Sequence, residues 1–228
     1  GGAYRVLSID SRGHGDSDGP MQRDAYQGVH GGRDILAAMR AFGLESVFAA
    51  GHSGGAVNLV HAALFSTTLF KKLILIDAII GKPEMFRNRH ALSESARRRR
   101  QHFPDLETAR TRYRAKAPMA DWAPEVLDAY LAHGFRESAS GGISLKCPGK
   151  AEAWVYELGG GFDLFDRHGN LSVETLLVTG SESNIAVVTD AQYRRIPKAQ
   201  KIVLAGAGHF IPQERPAETA AFLREWLR

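Results

Sequence analysis

The pentapeptide Gly51-His52-Ser53-Gly54-Gly55 constrains this chain more than any other stretch. It follows the apolar run Val47-Phe48-Ala49-Ala50 and opens the segment Ala56-Val57-Asn58-Leu59-Val60. It therefore stands between a predicted strand and a predicted helix. A strand that turns into a helix at a serine holds that residue in a strained backbone conformation. Side chains at 51 or 55 are expected to collide with neighbouring backbone, which glycine avoids. The turn lifts the Ser53 hydroxyl clear of the strand end. The Gly54 N–H, at the start of the helix, can face an oxyanion.

The rest of the chain alternates in the same way. Tyr4 to Ile9 reads as a mostly buried strand, followed by the polar, Gly-rich loop Asp10 to Ser17. Asp24 to Phe42 has helical spacing in Ile35, Leu36, Met39 and Phe42, weakened by Gly28, Gly31 and Gly32, with Gly43 as the C-cap. Gly54 to Phe65 is the helix out of the serine turn, and Leu73-Ile74-Leu75-Ile76 is a continuous apolar strand ended by Asp77. From about Gly81 to Gly169 no strongly apolar strand appears. Helices are expected over Ala91 to Phe103, Leu106 to Lys116, Pro124 to His133 and Glu152 to Leu158. Strands return at Thr175 to Thr179 and Lys201 to Leu204, with helices near Asp190 to Arg195 and over Glu218 to Leu227. The pattern predicts an α/β fold, a mostly parallel, doubly wound sheet covered on both faces. Residues 1–80 and 170–228 form its core, and 81–169 are a helical cap.

The C-terminal ends of parallel strands lie on one edge, where ligands bind. Ser53, Asp77, Glu182 and His209 each follow a predicted strand, so a nucleophile, two acids and an imidazole converge there in the order Ser, Asp/Glu, His. Ser53 needs a base to take its proton, and imidazole titrates near neutral pH. A carboxylate on the far nitrogen fixes the tautomer of His209 and stabilises its imidazolium. Asp77 is the favoured acid because it directly ends a buried strand. Glu182 is the alternative and Asp190 a distant third.

Composition removes several other classes of function. Lys plus Arg exceed Asp plus Glu by 29 − 25 = 4, and much of the excess is the run Arg97 to Arg100, a solvated helix face, so no nucleic-acid partner is expected. No run approaches the ~18 apolar residues that span a bilayer. Cys147 is the one cysteine, which excludes an intrachain disulfide and a cysteine metal cluster and fits a reducing, cytoplasmic compartment. His61, His90, His102, His133 and His168 have no metal-ligand spacing. His52 points away from a base's position and is expected to pack. Trp122, Phe135 and Trp154 either line an apolar pocket or form the core of the cap.

Three blocks carry a resemblance. Asp10-Ser11-Arg12-Gly13-His14-Gly15-Asp16-Ser17 is similar to a D-x-R-G-x-G-x-S loop, Gly51 to Gly55 to a nucleophile elbow, and Gly206-Ala207-Gly208-His209-Phe210-Ile211-Pro212-Gln213-Glu214-Arg215-Pro216 to the block around a catalytic histidine. The chain resembles the α/β-hydrolase family, and the three blocks span nearly its whole length. The resemblance implies a serine hydrolase, an esterase or lipase-like enzyme, in which Ser53 attacks, His209 is the base, Asp77 orients it, Gly54 supplies half of the oxyanion hole and Phe210 lines the site. It implies a small-molecule acyl substrate, no metal and no cofactor. Thioester or C–C hydrolysis by the same residues, or ligand binding without catalysis on the same fold, are the alternatives.

Two departures from the family stand out. The usual acid position holds Ser183, followed by Asn184. Leu75-Ile76-Asp77-Ala78-Ile79 is instead similar to the acid-bearing strand end of haloalkane dehalogenases. Those enzymes use an Asp nucleophile, and Ser53 argues against both dehalogenation and epoxide opening. The family also has strands ahead of the position of Tyr4, and an H-G loop that gives the second oxyanion N–H, so the chain reads as N-terminally incomplete.

Overall fold

A computed structural model describes residues 4–85 and 89–228. In chain order the first elements are α1 (Gly28–Ala41), β1 (Val47–His52), α2 (Gly54–Phe65) and β2 (Phe70–Ile76). Between β2 and the next long strand lie α3 (Arg89–Arg97), β3 (His102–Phe103), α4 (Leu106–Arg114), α5 (Pro124–His133), β4 (Phe135–Glu137), β5 (Ile143–Leu145) and α6 (Gly149–Leu158). The chain then adds β6 (Glu174–Gly180), α7 (Ala186–Tyr193), β7 (Ala199–Leu204), α8 (Ile211–Glu214) and α9 (Pro216–Trp226).

The four long strands form one parallel sheet in the order β1-β2-β6-β7. Their side chains alternate between two cores, as the two-residue period of a strand requires. Leu73, Leu75 and Leu177 face Val57, Val60 and Ala63 of α2 and Met39 of α1. Ile74, Ile76, Leu176 and Val178 face Ile211 and Phe222, with Leu223 and Trp226 of α9 packed beside them. Helices thus cover both faces, which explains why β2 and β6 read as unbroken apolar runs.

The glycines of α1 have a packing reason. A Cβ at Gly31 would stand 2.3 Å from the Asn58 side chain, and one at Gly32 2.5 Å from His61 Cβ, so their absence lets α1 lie close on α2. The helix forms despite its low intrinsic propensity because this contact outweighs it. Gly43 closes it at φ 63°.

Two expectations need correction. Tyr4 to Ile9 forms no strand: the segment has no ladder partner among the described residues, and Tyr4, Val6 and Ile9 are exposed. Tyr4 is tied instead through its hydroxyl to the Leu227 carbonyl at 2.8 Å and by an edge-on contact with Phe48. The segment between β2 and β6 is also not purely helical. It holds a small antiparallel sheet, β3-β5-β4, and the helix expected to reach Phe103 ends at Arg97. These strands are two or three residues long, too short for an alternating pattern to show in sequence. They share a core of Phe103, Tyr113, Leu127, Leu131, Phe135 and Leu145 with α4 and α5.

Candidate active site

Hydrogen bonding continues past the strand ends and fixes the residues that follow them. Ser53 N–H donates to the Ile76 carbonyl at 2.9 Å, Asp77 N–H to Val178 at 2.7 Å, and Ser181 N–H to Leu204 at 2.9 Å. Each post-strand residue is therefore locked to the neighbouring strand. Ser53 and Asp77 are the two non-glycine residues at positive φ among those described, at 53° and 46°. Such conformations cost about 1–3 kcal/mol and persist where the surroundings over-determine them. A Cβ at Gly51 would lie 2.8 Å from Ala56 N and Cα, so glycine is required there. At Gly55 the expected collision is absent, because that position faces open space with nothing within 4 Å. Gly54 is equally open, and it starts α2, where the first N–H groups have no partner within the helix.

Ser53, His209 and Asp77 come together across more than 150 positions of chain. Ser53 Oγ lies 3.0 Å from His209 Nε2, and His209 Nδ1 lies 2.6 Å from Asp77 Oδ2. Asp77 is wholly buried. Two hydroxyls donate to its carboxylate, Thr179 Oγ1 to Oδ1 at 2.5 Å and Ser183 Oγ to Oδ2. The serine at the family's usual acid position thus serves the carboxylate of the neighbouring strand. A buried carboxylate is costly unless its lone pairs are engaged, and here both oxygens are.

The loop carrying His209 approaches β6 closely because of one glycine. A Cβ at Gly180 would stand 2.1 Å from the Ala207 oxygen and 2.4 Å from the Gly208 oxygen. Glu214 then clasps the loop from behind, accepting from Gly208 N–H at 2.7 Å and Phe210 N–H at 3.1 Å. Sequence reasoning assigned nothing to Thr179 or Glu214. The signal for Glu214 was an acid in the first turn of a helix opened by Pro212, placed to reach back to free N–H groups.

Glu182, the alternative acid, does not meet His209. Its N–H is bound to the Ala207 carbonyl at 3.0 Å, it is solvent-exposed, and Asp77 occupies the Nδ1 position. Asp190 pairs with Lys201 at 2.5 Å. His52 does more than pack: its Nε2 donates to the His209 carbonyl oxygen at 2.8 Å. Burial, and then the neighbouring His209, push its pKa down to about 4, so it is neutral at ordinary pH.

Phe210 stands edge-on to His209 with ring centroids 5.1 Å apart, and Trp122 contacts Phe210 at 5.7 Å. Of the three aromatics between β2 and β6 singled out in the sequence, Trp122 is the one that touches Phe210. Phe135 is inside the core shared with α4 and α5, and Trp154 packs on Tyr26 at 5.4 Å. Arg12 is committed to Asp34, through two bonds of 2.8 and 2.7 Å, and to the Ala25 carbonyl. His14 Nδ1 lies 3.1 Å from the Arg12 oxygen. A cavity of about 280 Å³ separates this loop from Gly54, Gly55 and Asn58. Among the described residues no cluster of three or more His, Cys, Asp or Glu could hold a metal, and no helix is long and apolar enough to cross a membrane.

A strained serine between strand and helix, its imidazole neighbour and a buried acid on one sheet edge define a class of protein. The chain belongs to the alpha/beta hydrolase family, whose model matches residues 1–222. It is similar to epoxide hydrolase 2 of Siraitia grosvenorii, with 24% identity over 280 aligned residues that take in 99% of this chain and 83% of that one. In fold it is similar to E-2-(acetamidomethylene)succinate hydrolase, with a TM-score of 0.81 and 22% identity over 96% of this chain and 79% of that one. It is also similar to a thermophilic esterase from Thermogutta terrifontis, with a TM-score of 0.68 and 26% identity over 96% and 78%.

Proposed function

We propose that this chain is a serine hydrolase that cleaves a small carboxylic ester through an acyl-enzyme. The observation that carries this reading is the unbroken path from Ser53 Oγ through His209 to buried Asp77, with links of 3.0 and 2.6 Å. Ser53 Oγ attacks the acyl carbonyl as His209 Nε2 takes its proton. Asp77 accepts from Nδ1–H and stabilises the imidazolium. Gly54 N–H donates to the oxyanion. The tetrahedral adduct collapses, the alcohol leaves with the proton from Nε2, and water attacks the acyl-enzyme by the same route. Phe210 and Trp122 form the wall beside the acyl group.

The likeness to an epoxide hydrolase raises a second chemistry, which Ser53 disfavours. Opening an epoxide with a serine oxygen leaves an ether. An ether has no carbonyl for water to attack, so the enzyme would not turn over. An acyl-serine has that carbonyl.

A fluorophosphonate probe on the protein, followed by peptide mapping, tests the reading, together with a panel of p-nitrophenyl esters of graded chain length. Label is expected on Ser53. Ser53→Ala should lose label and cut kcat on the order of a millionfold. A variant that keeps a tenth of the activity would show that another residue attacks.

A further inference from the structure

His52 ends β1 one residue before Ser53, yet its ring turns away from the serine and toward the loop that carries His209. Its Nε2 lies 2.8 Å from the His209 carbonyl oxygen. A carbonyl can only accept, so Nε2 carries the hydrogen and the tautomer is fixed. The rings of His52 and His209 are 5.0 Å apart, and the His52 ring is 6.0 Å from Phe210.

The backbone around His209 is held on every side. Glu214 takes Gly208 N–H and Phe210 N–H, and His52 takes the intervening carbonyl. Glu214 belongs to the same local segment as His209 and moves with it. His52 belongs to the strand of the nucleophile. It is thus a side-chain link from the serine's own strand to the backbone of its base. The charged and titratable groups facing it are His209 and Asp77. A second imidazolium beside His209 would repel the one formed during attack, and burial keeps His52 neutral.

We propose that His52 is a positioning residue that fixes the backbone of His209 and so sets the distance at which its imidazole meets Ser53. This rests on the reading of Ser53 and His209 as nucleophile and base. Displacement of a reacting group by about 1 Å can cost ~100-fold in rate, so a tether of this kind acts on turnover and not on substrate affinity.

The test compares the full chain with His52→Phe, His52→Asn and His52→Gln. Phe keeps the ring but has no donor. Asn is polar but too short to reach the carbonyl. Gln carries an N–H of similar reach. Five quantities are read: kcat and KM on p-nitrophenyl acetate, the rate of fluorophosphonate labelling, the melting temperature, and the low-field proton resonance of His209 Nδ1–H. Phe and Asn are expected to lower kcat and labelling about tenfold, the loss that one hydrogen bond of ~1.4 kcal/mol represents, with KM within about twofold. The low-field resonance should broaden or vanish in both. Gln should recover kcat to within about threefold and restore the resonance. Wild-type kcat in Phe and Asn, or the same loss in all three variants, overturns the role of His52 while leaving the serine mechanism standing. A wild-type chain that neither labels at Ser53 nor turns over overturns both.

Discussion

The sheet edge and the segment between β2 and β6 are held together in opposite ways. At the edge Asp77 is buried and Glu214 half-buried, and each has short, specific partners: Asp77 meets two hydroxyls and an imidazole, and Glu214 meets two backbone N–H groups. In the inserted segment the charges are on or near the surface, as in Arg97 with Glu157 and Arg110 with Asp128, over a core of aromatic rings in edge-on contact. The edge therefore has little room to relax, and a substitution there should appear in kcat or in global folding. In the inserted segment the surface pairs are screened by water, and substitutions of them should appear as modest changes in KM or in local stability.

The strongest way to break this contrast is at the acid. Asp77→Asn should keep the geometry but favour the wrong His209 tautomer, costing on the order of 10⁴ in kcat. Glu182→Gln should change kcat less than about twofold, since that side chain is exposed. Steady-state kinetics on one ester decides it. Near-wild-type turnover in Asp77→Asn with a large loss in Glu182→Gln would move the acid to the loop after β6.

Gly180→Ala tests the packing half of the contrast. The added methyl would meet two carbonyl oxygens of the His209 loop at 2.1 and 2.4 Å, and these are backbone atoms that cannot swing away. A loss of about 1–3 kcal/mol or more in urea unfolding is expected, as for an overpacked core, together with a fall in kcat as the loop shifts. Gly55→Ala, where nothing lies within 4 Å, is the control and should be close to neutral. Equal effects at the two glycines would mean that the loop is softer than its hydrogen bonds suggest.

These same residues show where sequence reading succeeds and stops. The parallel sheet and α2 were legible because apolar runs and a Gly-rich turn are local signals. The order Ser, Asp/Glu, His at strand ends was legible for the same reason, with Ser53 after β1, Asp77 after β2 and His209 after β7. The choice between Asp77 and Glu182 was harder, since both follow strands. It depends on how closely the loop at Ala207 approaches Gly180, a contact across 27 positions that no local pattern reports. The hydroxyl of Thr179 was missed because a threonine inside a buried strand looks like β propensity alone. Tyr4 to Ile9 reads as a buried strand from its apolar residues, but a strand also needs a ladder partner, and the segment has none among the described residues.

A smaller effect is expected where the cap meets the site. Trp122→Ala removes the ring against Phe210 but leaves Ala123 N–H on the Gln213 carbonyl at 2.9 Å. The segment between β2 and β6 should stay docked while the space beside Phe210 opens. KM for longer p-nitrophenyl esters should rise about three- to tenfold, roughly the loss of one to two buried methylenes, with kcat less affected. A uniform drop in kcat at unchanged KM would place Trp122 with the rigid edge and not with the cap.

The smallest effect concerns Glu157, which joins three parts of the chain. Ser93 Oγ donates to it at 2.6 Å, Arg97 at 2.5 Å and Arg23 at 3.0 Å. Burial alone would raise its pKa, but these hydrogen bonds outweigh burial and pull it from 4.5 to about 2. Its folded value lies below its unfolded one, so between those values the unfolded chain binds more protons. Its contribution to stability is complete above about pH 4.5 and disappears as pH falls toward about 2. The partners are partly exposed and screened by water, so Glu157→Gln should lower the melting temperature at pH 7 by only about 1–3 °C. The informative quantity is the difference between wild type and variant along a pH series, because other carboxylates cancel in it. That difference should shrink between pH 4.5 and 2. A gap that stays constant over this range would mean that Glu157 acts through packing and not through charge.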